Sequence, residues 1–358
     1  MPLTGGGEPS GEGLQVPEGG EEFGEKADVR IKRQPVKPSP KEVDEHEADH
    51  YPPRSWCRHC VAGHGRLDRH ASVATATRDE GIDTVVCDYM YFNDVAKEDF
   101  PLEEADAGAP APASRGGFAP SSAASHTPIL VAKDRRFQSL FATAVGVKGA
   151  DPFAVREYVD FVSSLGVNRV KLRSDGEPAI RSLVEAASVE LRKKNIEIVP
   201  DKTPVADSQA AGLQESAVHQ IKCKARTLWH QAQELHGIKT GEDHATMVWC
   251  VRYAARLINR THKGPDGRSS WARVTGRREF VRPLVPWGEK VLYAMGGHKH
   301  KVGLETKLPE GIFLDMVDTT NEYVIGTPQG IVKSGSVKRV SKEDARDPEL
   351  FRSITTRP

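Results

Sequence analysis

The sequence predicts an α/β protein built on a mixed β-sheet with helices packed on its faces. Short apolar runs of a kind typical of strands cover residues 84–92, 128–134, 139–147, 169–174 and 196–200. Longer segments with apolar residues at helical spacing cover residues 151–166, 178–194, about 212–235 and 244–260. Three strands in series, followed by alternating helix and strand, favour a mixed sheet over an all-parallel or all-antiparallel one. The segment 244–260 is apolar on most of its circumference, so we expect it to be buried.

Composition limits the class of protein. The 358 residues are enough for two or three domains, and 50 basic residues balance 50 acidic ones. Basic residues are nevertheless concentrated between positions 215 and 282, which hold 13 Lys and Arg against 6 Asp and Glu. Five cysteines and no signal peptide argue against a secreted disulfide scaffold. No apolar run reaches the roughly 18 residues of a membrane span, so we expect a soluble intracellular protein.

Two segments have low complexity. Residues 1–40 are rich in Gly, Glu, Pro and Lys, a composition that favours disorder. Residues 101–126 are rich in Ala, Pro, Gly and Ser and interrupt the predicted strands. We therefore predict that this second segment is a disordered insertion that loops out of the sheet.

Two aspartates stand at or within predicted strands. Asp175 lies between the strand 169–174 and a helix that Gly176 and Pro178 help to begin. The alternative to a functional role is that Asp175 is simply the N-cap of this helix, which is worth about 1 kcal/mol. Asp88 lies inside an otherwise apolar strand, where a buried carboxylate would need a partner or a metal ion. The alternative for Asp88 is a position on a solvated face of the sheet.

A third acid lies on the long predicted helix. On this helix the side chains of His219 and Lys222 point within roughly 40° of the direction of Glu215. A solvated charged face is the simpler interpretation of this row. Magnesium prefers carboxylate oxygens, and two-metal phosphoryl chemistry needs several acids around ions roughly 4 Å apart. Asp88, Asp175 and Glu215 are therefore candidate ligands for two Mg²⁺ or Mn²⁺ ions.

A possible zinc set precedes the strands. His46 and His50 share a helix face, and Cys57 and Cys60 form a Cys-x-x-Cys pair, which together supply four tetrahedral zinc ligands. A reduced thiol pair or a redox site is the alternative. Three further histidines could replace a ligand: His59, His64 and His70.

These motifs, in this order, resemble the integrases of copia-like retrotransposon polyproteins, which are of the retroviral type. The segment LRSDGEPAI (172–180) resembles the family's second-aspartate motif, and DSQAAGLQESAVHQIKCKAR (207–226) resembles its glutamate motif. Between Asp175 and Glu215 lie 39 residues, slightly more than is usual in the family. The 87 positions from Asp88 to Asp175 are too many, but removing residues 101–126 reduces them to 61, which fits.

The resemblance implies a ribonuclease-H-like catalytic core over residues 78–262. It also implies a His-His-Cys-Cys zinc segment at 41–72, a linker at 263–282, a β-rich SH3-like module at 283–342 and a tail at 343–358. Only six residues separate His50 from Cys57, fewer than in the family.

The implied activity is metal-dependent processing of DNA 3′ ends and strand transfer. The resemblance implies that Asp88, Asp175 and Glu215 bind the catalytic metal ions and that the Zn²⁺ ion is structural. Four residues of the long helix would contact DNA: His219, Lys222, Lys224 and Arg226. The implied partners are double-stranded DNA and further copies of the chain, and the implied location is the nucleus or, before import, a cytoplasmic particle.

Two other functions remain open at this stage. The chain could be an inactive or repurposed nucleic-acid-binding protein derived from a transposon, or a fragment of a polyprotein. It could also be a ribonuclease-H-like nuclease that acts on hybrids. Metal-dependent cleavage of a labelled DNA end would separate these classes.

Overall fold

The computed structural model describes residues 35–64, 82–92, 127–174, 176–199, 208–241, 244–294 and 308–358, with only the backbone of residues 208–211. Most of the predicted disordered segment 1–40 and all of the insertion 101–126 lie outside these ranges. Within them, no helix combines the length and the hydropathy required to cross a bilayer.

The described elements follow one another as helices and strands of two sheets. The helices are α1 (Pro40–Asp49), α2 (Arg58–His64), α3 (Pro152–Ser164), α4 (Pro178–Lys193), α5 (Ser208–His236), α6 (Ala245–Thr261), α7 (Ser270–Thr275) and α8 (Pro348–Arg352). The strands of the first sheet are β1 (Asp83–Met90), β2 (Ile129–Asp134), β3 (Leu140–Ala144), β4 (Arg169–Ser174) and β5 (Glu197–Ile198). Those of the second sheet are β6 (Lys290–Tyr293), β7 (Glu310–Met316), β8 (Tyr323–Thr327), β9 (Gly330–Ser334) and β10 (Val337–Arg339).

The first sheet is mixed, as the sequence predicts. Its order is β3-β2-β1-β4-β5, with β1, β2 and β3 antiparallel and with β4 and β5 parallel to β1. Strand β1 is therefore central, and its register pairs Asp88 with Val131 on one side and Cys87 with Ser174 on the other. The sheet thus places the end of β4 beside the part of β1 that carries Asp88.

Helices cover both faces of this sheet. Val85, Cys87 and Tyr89 of β1 share a hydrophobic core with residues of α3 and α4. Met90 of the same strand belongs to the other core, which contains residues of α5 and α6. Because side chains alternate along a strand, Asp88 lies on the α5 and α6 face. Helix α6 is buried along most of its length, which confirms the interpretation of its apolar circumference.

The second sheet shares its core with α5 and α6. It is antiparallel, in the order β10-β6-β7-β8-β9. The ring of Phe313 on β7 packs against Tyr253 of α6 at 5.2 Å, and Trp287 packs against Trp229 of α5 at 5.9 Å. This strand-rich region is therefore fused to the helices by a continuous apolar core, and an SH3-like topology for it stays a prediction.

The predicted linker 263–282 is anchored at several points. It contains α7, whose N-cap Ser269 donates its backbone N–H to the Glu279 carboxylate at 3.1 Å. The Arg273 guanidinium donates to the Phe137 carbonyl at 3.1 Å, which ties this segment to the turn between β2 and β3. These bonds make the segment part of the folded unit.

A buried ion network joins α6 to the second sheet. Asp315 follows a register shift in β7, has a fully buried side chain and pairs with Arg256. Arg256 also bonds Asp318 at 2.7 Å, and Asp318 bonds the buried Arg260 at 2.9 Å. Burial raises the pKa of Asp315, so its charge depends on these guanidinium partners. Removing one partner of such a pair leaves an uncompensated buried charge.

We expect Asp315→Ala to lower the free energy of unfolding by about 1.5–3 kcal/mol, because Arg256 would lose its buried partner and keep Asp318. Urea unfolding followed by circular dichroism measures this change. The control is Asp160→Ala, which removes a largely exposed pair with Lys194 and should cost about 1 kcal/mol or less. Equal losses in the two variants would contradict the assignment of Asp315.

Candidate metal centre and the acidic face of the sheet

Four predicted zinc ligands meet in one buried cluster. Their ligand atoms all lie within 4.8 Å of one another, and among the described residues this is the one group of His, Cys, Asp or Glu side chains with metal-site geometry. His46 Nε2 lies 3.3 Å from Cys60 Sγ. His50 Nδ1 lies 3.5 Å from Cys57 Sγ and 3.7 Å from Cys60 Sγ.

These separations fit a tetrahedral zinc ion. Zinc bonds of roughly 2.3 Å to sulfur and 2.0–2.1 Å to nitrogen place neighbouring ligand atoms about 3.5 Å apart. Two imidazoles and two thiols are also the ligands that zinc prefers in structural sites. The hydrogen bond between the two thiols lowers the pKa of Cys57 and raises the pKa of Cys60, so one thiolate forms readily, and a bound zinc ion would favour the second. The geometry and the donor set therefore fit a closed, structural Zn²⁺ site.

The local fold explains the short spacing between His50 and Cys57. His50 ends α1 in a left-handed conformation (φ 52°), and its N–H donates to the His46 carbonyl at 2.7 Å. This conformation turns the chain back at once, so that six residues are enough to reach Cys57. The Cys60 N–H then donates to Cys57 Sγ at 3.5 Å, which folds the Cys-x-x-Cys segment around its own sulfur.

The three substitute histidines are not needed. His59 lies outside the ligand cluster, and its Nε2 is 3.7 Å from the Glu234 carboxylate. Burial lowers the pKa of His59 to about 4, so its imidazole is neutral at physiological pH. His64 is not a member of the cluster either, and His70 lies outside the described residues.

The zinc segment packs closely on α5. A Cβ added at Gly63 of α2 would lie 2.1 Å from Thr227 Oγ1, so only glycine allows this approach. Gln231 of α5 donates its side-chain N–H to the Glu47 carbonyl at 3.0 Å. Through these contacts, α5 supports both helices that carry the zinc ligands.

Lys224, which the sequence predicts as a DNA contact, has a buried side chain. It is 2% exposed, and its Nζ donates to the carbonyls of Asp49 at 2.7 Å and His50 at 3.4 Å. Burial lowers the pKa of this ammonium to about 8. The ammonium is thus used to hold the turn that contains His50. Helical periodicity alone could have indicated that Lys224 is on a different face, because it lies about 180° around the helix from Glu215.

The remaining predicted helix residues form a stripe on the other side of α5. Glu215 and Arg226 are exposed, whereas His219 and Lys222 are partly buried. His219 Nε2 lies 3.2 Å from Cys223 Sγ, so this imidazole contacts a neighbour on its own helix. We refer to Glu215, His219, Lys222 and Arg226 as the α5 stripe.

Asp88 is the predicted acidic ligand of the sheet that the structure describes, and it lies on the face covered by this helix. Asp88 is partly buried, and its Oδ1 accepts the Tyr89 N–H at 2.7 Å. Helix α5 contacts β1 and β2 on the face where Asp88 lies. Asp175 lies outside the described residues, so the convergence of Asp88, Asp175 and Glu215 stays a prediction.

The interpretation of Asp175 as a simple N-cap is wrong. The N-cap of α4 is Glu177, which caps without a side-chain hydrogen bond. Its carboxylate instead pairs with Lys148 at 2.8 Å. Lys148 also lies over the rings of Tyr89 and Tyr91 at 5.2 Å, so it adds a cation near the end of β1 that the sequence did not single out.

Comparisons with known proteins find similarity in backbone fold only. No protein-family model and no curated protein matches this chain. The chain is similar to the catalytic core domain of BIV integrase, with 12% identity, a TM-score of 0.34 and coverage of 54% of this chain and 93% of the other. It is also similar to the simian T-cell lymphotropic virus intasome in complex with a PP2A regulatory subunit, with 13% identity, a TM-score of 0.36 and coverage of 79% and 87%. The function of this chain therefore has to be argued from its own residues.

We expect the purified protein to contain one zinc ion per chain, measured by inductively coupled plasma mass spectrometry. His50→Ala and Cys57→Ser should abolish the bound zinc, because each removes one of four ligands. His59→Gln is the matched control and should retain it. Zinc that survives in Cys57→Ser, or that disappears in His59→Gln, would show that the ligand set is different.

Substitutions of Lys224 and Arg226 are expected to have opposite effects on zinc affinity and on duplex binding. Lys224→Met should weaken zinc affinity about tenfold, because residues that orient a ligand tune the metal site. Arg226→Met should leave zinc affinity unchanged and weaken duplex binding, because its side chain is exposed on the α5 stripe. Competition with a chromophoric chelator measures the first quantity, and fluorescence anisotropy with a labelled duplex measures the second. If Lys224→Met weakened duplex binding and left zinc affinity unchanged, Lys224 would be a DNA contact after all.

Proposed function

We propose that this chain is an integrase, a metal-dependent polynucleotidyl transferase that trims DNA 3′ ends and joins them to target DNA. The observation that carries the proposal is the position of Asp88 on the central strand, on the sheet face covered by α5. The pairing of Cys87 with Ser174 supports it further, because Ser174 directly precedes Asp175 in the sequence. Glu215 lies on the same helix that packs over β1 and β2.

The proposed chemistry assigns a task to each side chain. Asp88, Asp175 and Glu215 would hold two Mg²⁺ or Mn²⁺ ions, which supply activation of a water or 3′ hydroxyl and stabilisation of the leaving oxygen. The Tyr89 N–H orients the Asp88 carboxylate. Along the α5 stripe, Lys222 and Arg226 bind backbone phosphates, with His219 beside them. Such contacts make duplex binding strongly dependent on salt.

The zinc cluster has a structural task in this proposal. Zn²⁺ bound by the four ligands would fix α1 and α2 on one side of α5, opposite the stripe that faces DNA. The partners are double-stranded DNA, namely the ends of element cDNA and the target, and further copies of this chain. The proposed place of action is the nucleus, after assembly in a cytoplasmic particle. The closer assignment to copia-like retrotransposons rests on the sequence motifs around Asp175 and Glu215.

The test is a strand-transfer assay with labelled oligonucleotides in Mg²⁺ or Mn²⁺. Asp88→Asn, Asp175→Asn and Glu215→Gln should each lower end processing and strand transfer by about 100-fold or more, since each removes a metal ligand. Duplex binding should be retained in all three variants. Glu185→Gln, an exposed carboxylate on α4 across the sheet, is the matched control and should keep full activity.

Two outcomes would overturn the proposal. Wild-type protein that binds duplex DNA but neither trims nor joins it would support the alternative of a DNA-binding protein without catalysis. Preferential cleavage of an RNA–DNA hybrid would instead indicate a ribonuclease-H-like nuclease.

A further inference from the structure

A basic pocket outside the zinc cluster has no assigned role. It has a volume of about 660 Å³ and opens between the β2–β3 turn, α5, the end of α6 and the segment before α7. One acid, Asp266, is among its described lining residues. Five cations also line it: Lys133, Arg135, Arg136, Lys263 and Arg273.

Lys133 is the unusual member of this set. It lies on β2 and is only 4% exposed, and within the described residues its ammonium has no hydrogen-bond or ion-pair partner. The nitrogen is not fully enclosed, so it meets the solvent of the pocket. Burial lowers the pKa of this ammonium. Partial loss of hydration disfavours the charged form, and an anionic ligand in the pocket would offset that loss.

The wall of the pocket around Lys133 is held by bonds between protein groups. Arg273 bonds Asp266 through Nε at 2.9 Å and donates to the Phe137 carbonyl at 3.1 Å. A Cβ added at Gly264 would lie 1.9 Å from Arg273 Nη2, so the loop packs directly on this guanidinium. Arg136 pairs with Asp83 at 3.1 Å. Arg273 and Arg136 are thus paired within the protein, whereas the ammonium groups of Lys133 and Lys263 have no partner among the described residues. Lys263 is exposed, so Lys133 is the buried member of the two.

The pocket adjoins the face that carries Asp88. Asp88 pairs with Val131, and Lys133 lies two residues further along β2 on the same face of the sheet. Such diagonal neighbours are typically about 7–8 Å apart. Gln220, which also lines the pocket, belongs to α5 but lies about 140° around the helix from Glu215, away from the α5 stripe. The link to the proposed function is therefore Asp88: a DNA strand bound at that carboxylate would have phosphates within reach of this pocket.

We propose that this pocket binds a backbone phosphate of duplex DNA, with the Lys133 ammonium donating to a phosphodiester oxygen. The inference rests on the proposed DNA-processing function for the identity of the ligand, whereas the anion chemistry follows from the pocket alone. Lys133 lies near Asp88 but is not one of the proposed metal ligands, so the inferred contact contributes to DNA binding.

The experiment compares Lys133→Met with Arg192→Met, which removes an equal charge from the exposed surface of α4 across the sheet. Fluorescence anisotropy with a labelled duplex is recorded over a salt series without magnesium or manganese, so that no turnover occurs. Lys133→Met should weaken binding about tenfold and reduce the slope of log K against log salt by about 0.9. Its melting temperature should be equal or higher, because no described residue loses a bond when the ammonium is removed and the side chain that carries it is largely buried. Arg192→Met should match the wild type in duplex affinity and in the slope of log K against log salt.

Three results would overturn the inference. Wild-type affinity and slope in Lys133→Met would show that the pocket does not contact DNA. Weaker binding together with a lower melting temperature would make Lys133 a structural residue. If inorganic phosphate raises the melting temperature of the wild type but not of Lys133→Met, while duplex affinity is unchanged, the pocket is a site for small anions. Because binding is measured without turnover, an inactive wild type would defeat the proposed function but not this test.

Discussion

Helix α5 makes three interfaces at once, and the arrangement of the zinc segment, the first sheet and the second sheet depends on it. Its residues Ala217 and Ile221 belong to the core that covers the α5 face of the first sheet. One turn further on, Lys224 holds the end of α1 through two backbone carbonyls. Trp229 then packs on Trp287 beside the second sheet. A single rigid helix therefore fixes the positions of parts of the chain that are far apart in sequence.

Close packing at two glycines makes this arrangement specific. At Gly63 the zinc segment approaches the α5 backbone, and at Gly288 the chain before β6 approaches Ala232, where an added Cβ would lie 2.8 Å from the alanine Cβ. Protein interiors tolerate such overlaps poorly, because neighbouring atoms are already at van der Waals contact. The α5 stripe is left on the remaining side of the helix, which is the side available to a ligand.

Local signals in the sequence account for much of the fold. The strand predicted at 169–174 coincides with β4, and the helix predicted at 178–194 with α4, because alternation and helical spacing are strong there. The strand predicted at 196–200 shortens to β5, Glu197–Ile198, since it pairs with the first residues of β4 only. The zinc ligands were predictable because Cys-x-x-Cys and two histidines four residues apart restrict geometry locally.

Long-range features were not predictable in the same way. The fusion of the second sheet to α6 depends on a shared core that no local pattern indicates. The burial of Asp315 depends on a register shift in β7 and on Arg256, 59 residues away. The pocket around Lys133 combines three distant segments, each of which has an ordinary basic composition. Only for Lys224 did the sequence contain an unused signal, namely its position on the face of α5 opposite Glu215.

Helix α5 links the proposed zinc cluster mechanically to the rest of the fold, and hydrogen–deuterium exchange of the full chain before and after removal of zinc by a chelator measures this link. Amides of residues 223–232 in α5 should lose protection together with those of α1 and α2, while α4 is unchanged. Faster exchange confined to residues 40–64 would contradict the link, because α5 would then hold its position without the metal-bound segment.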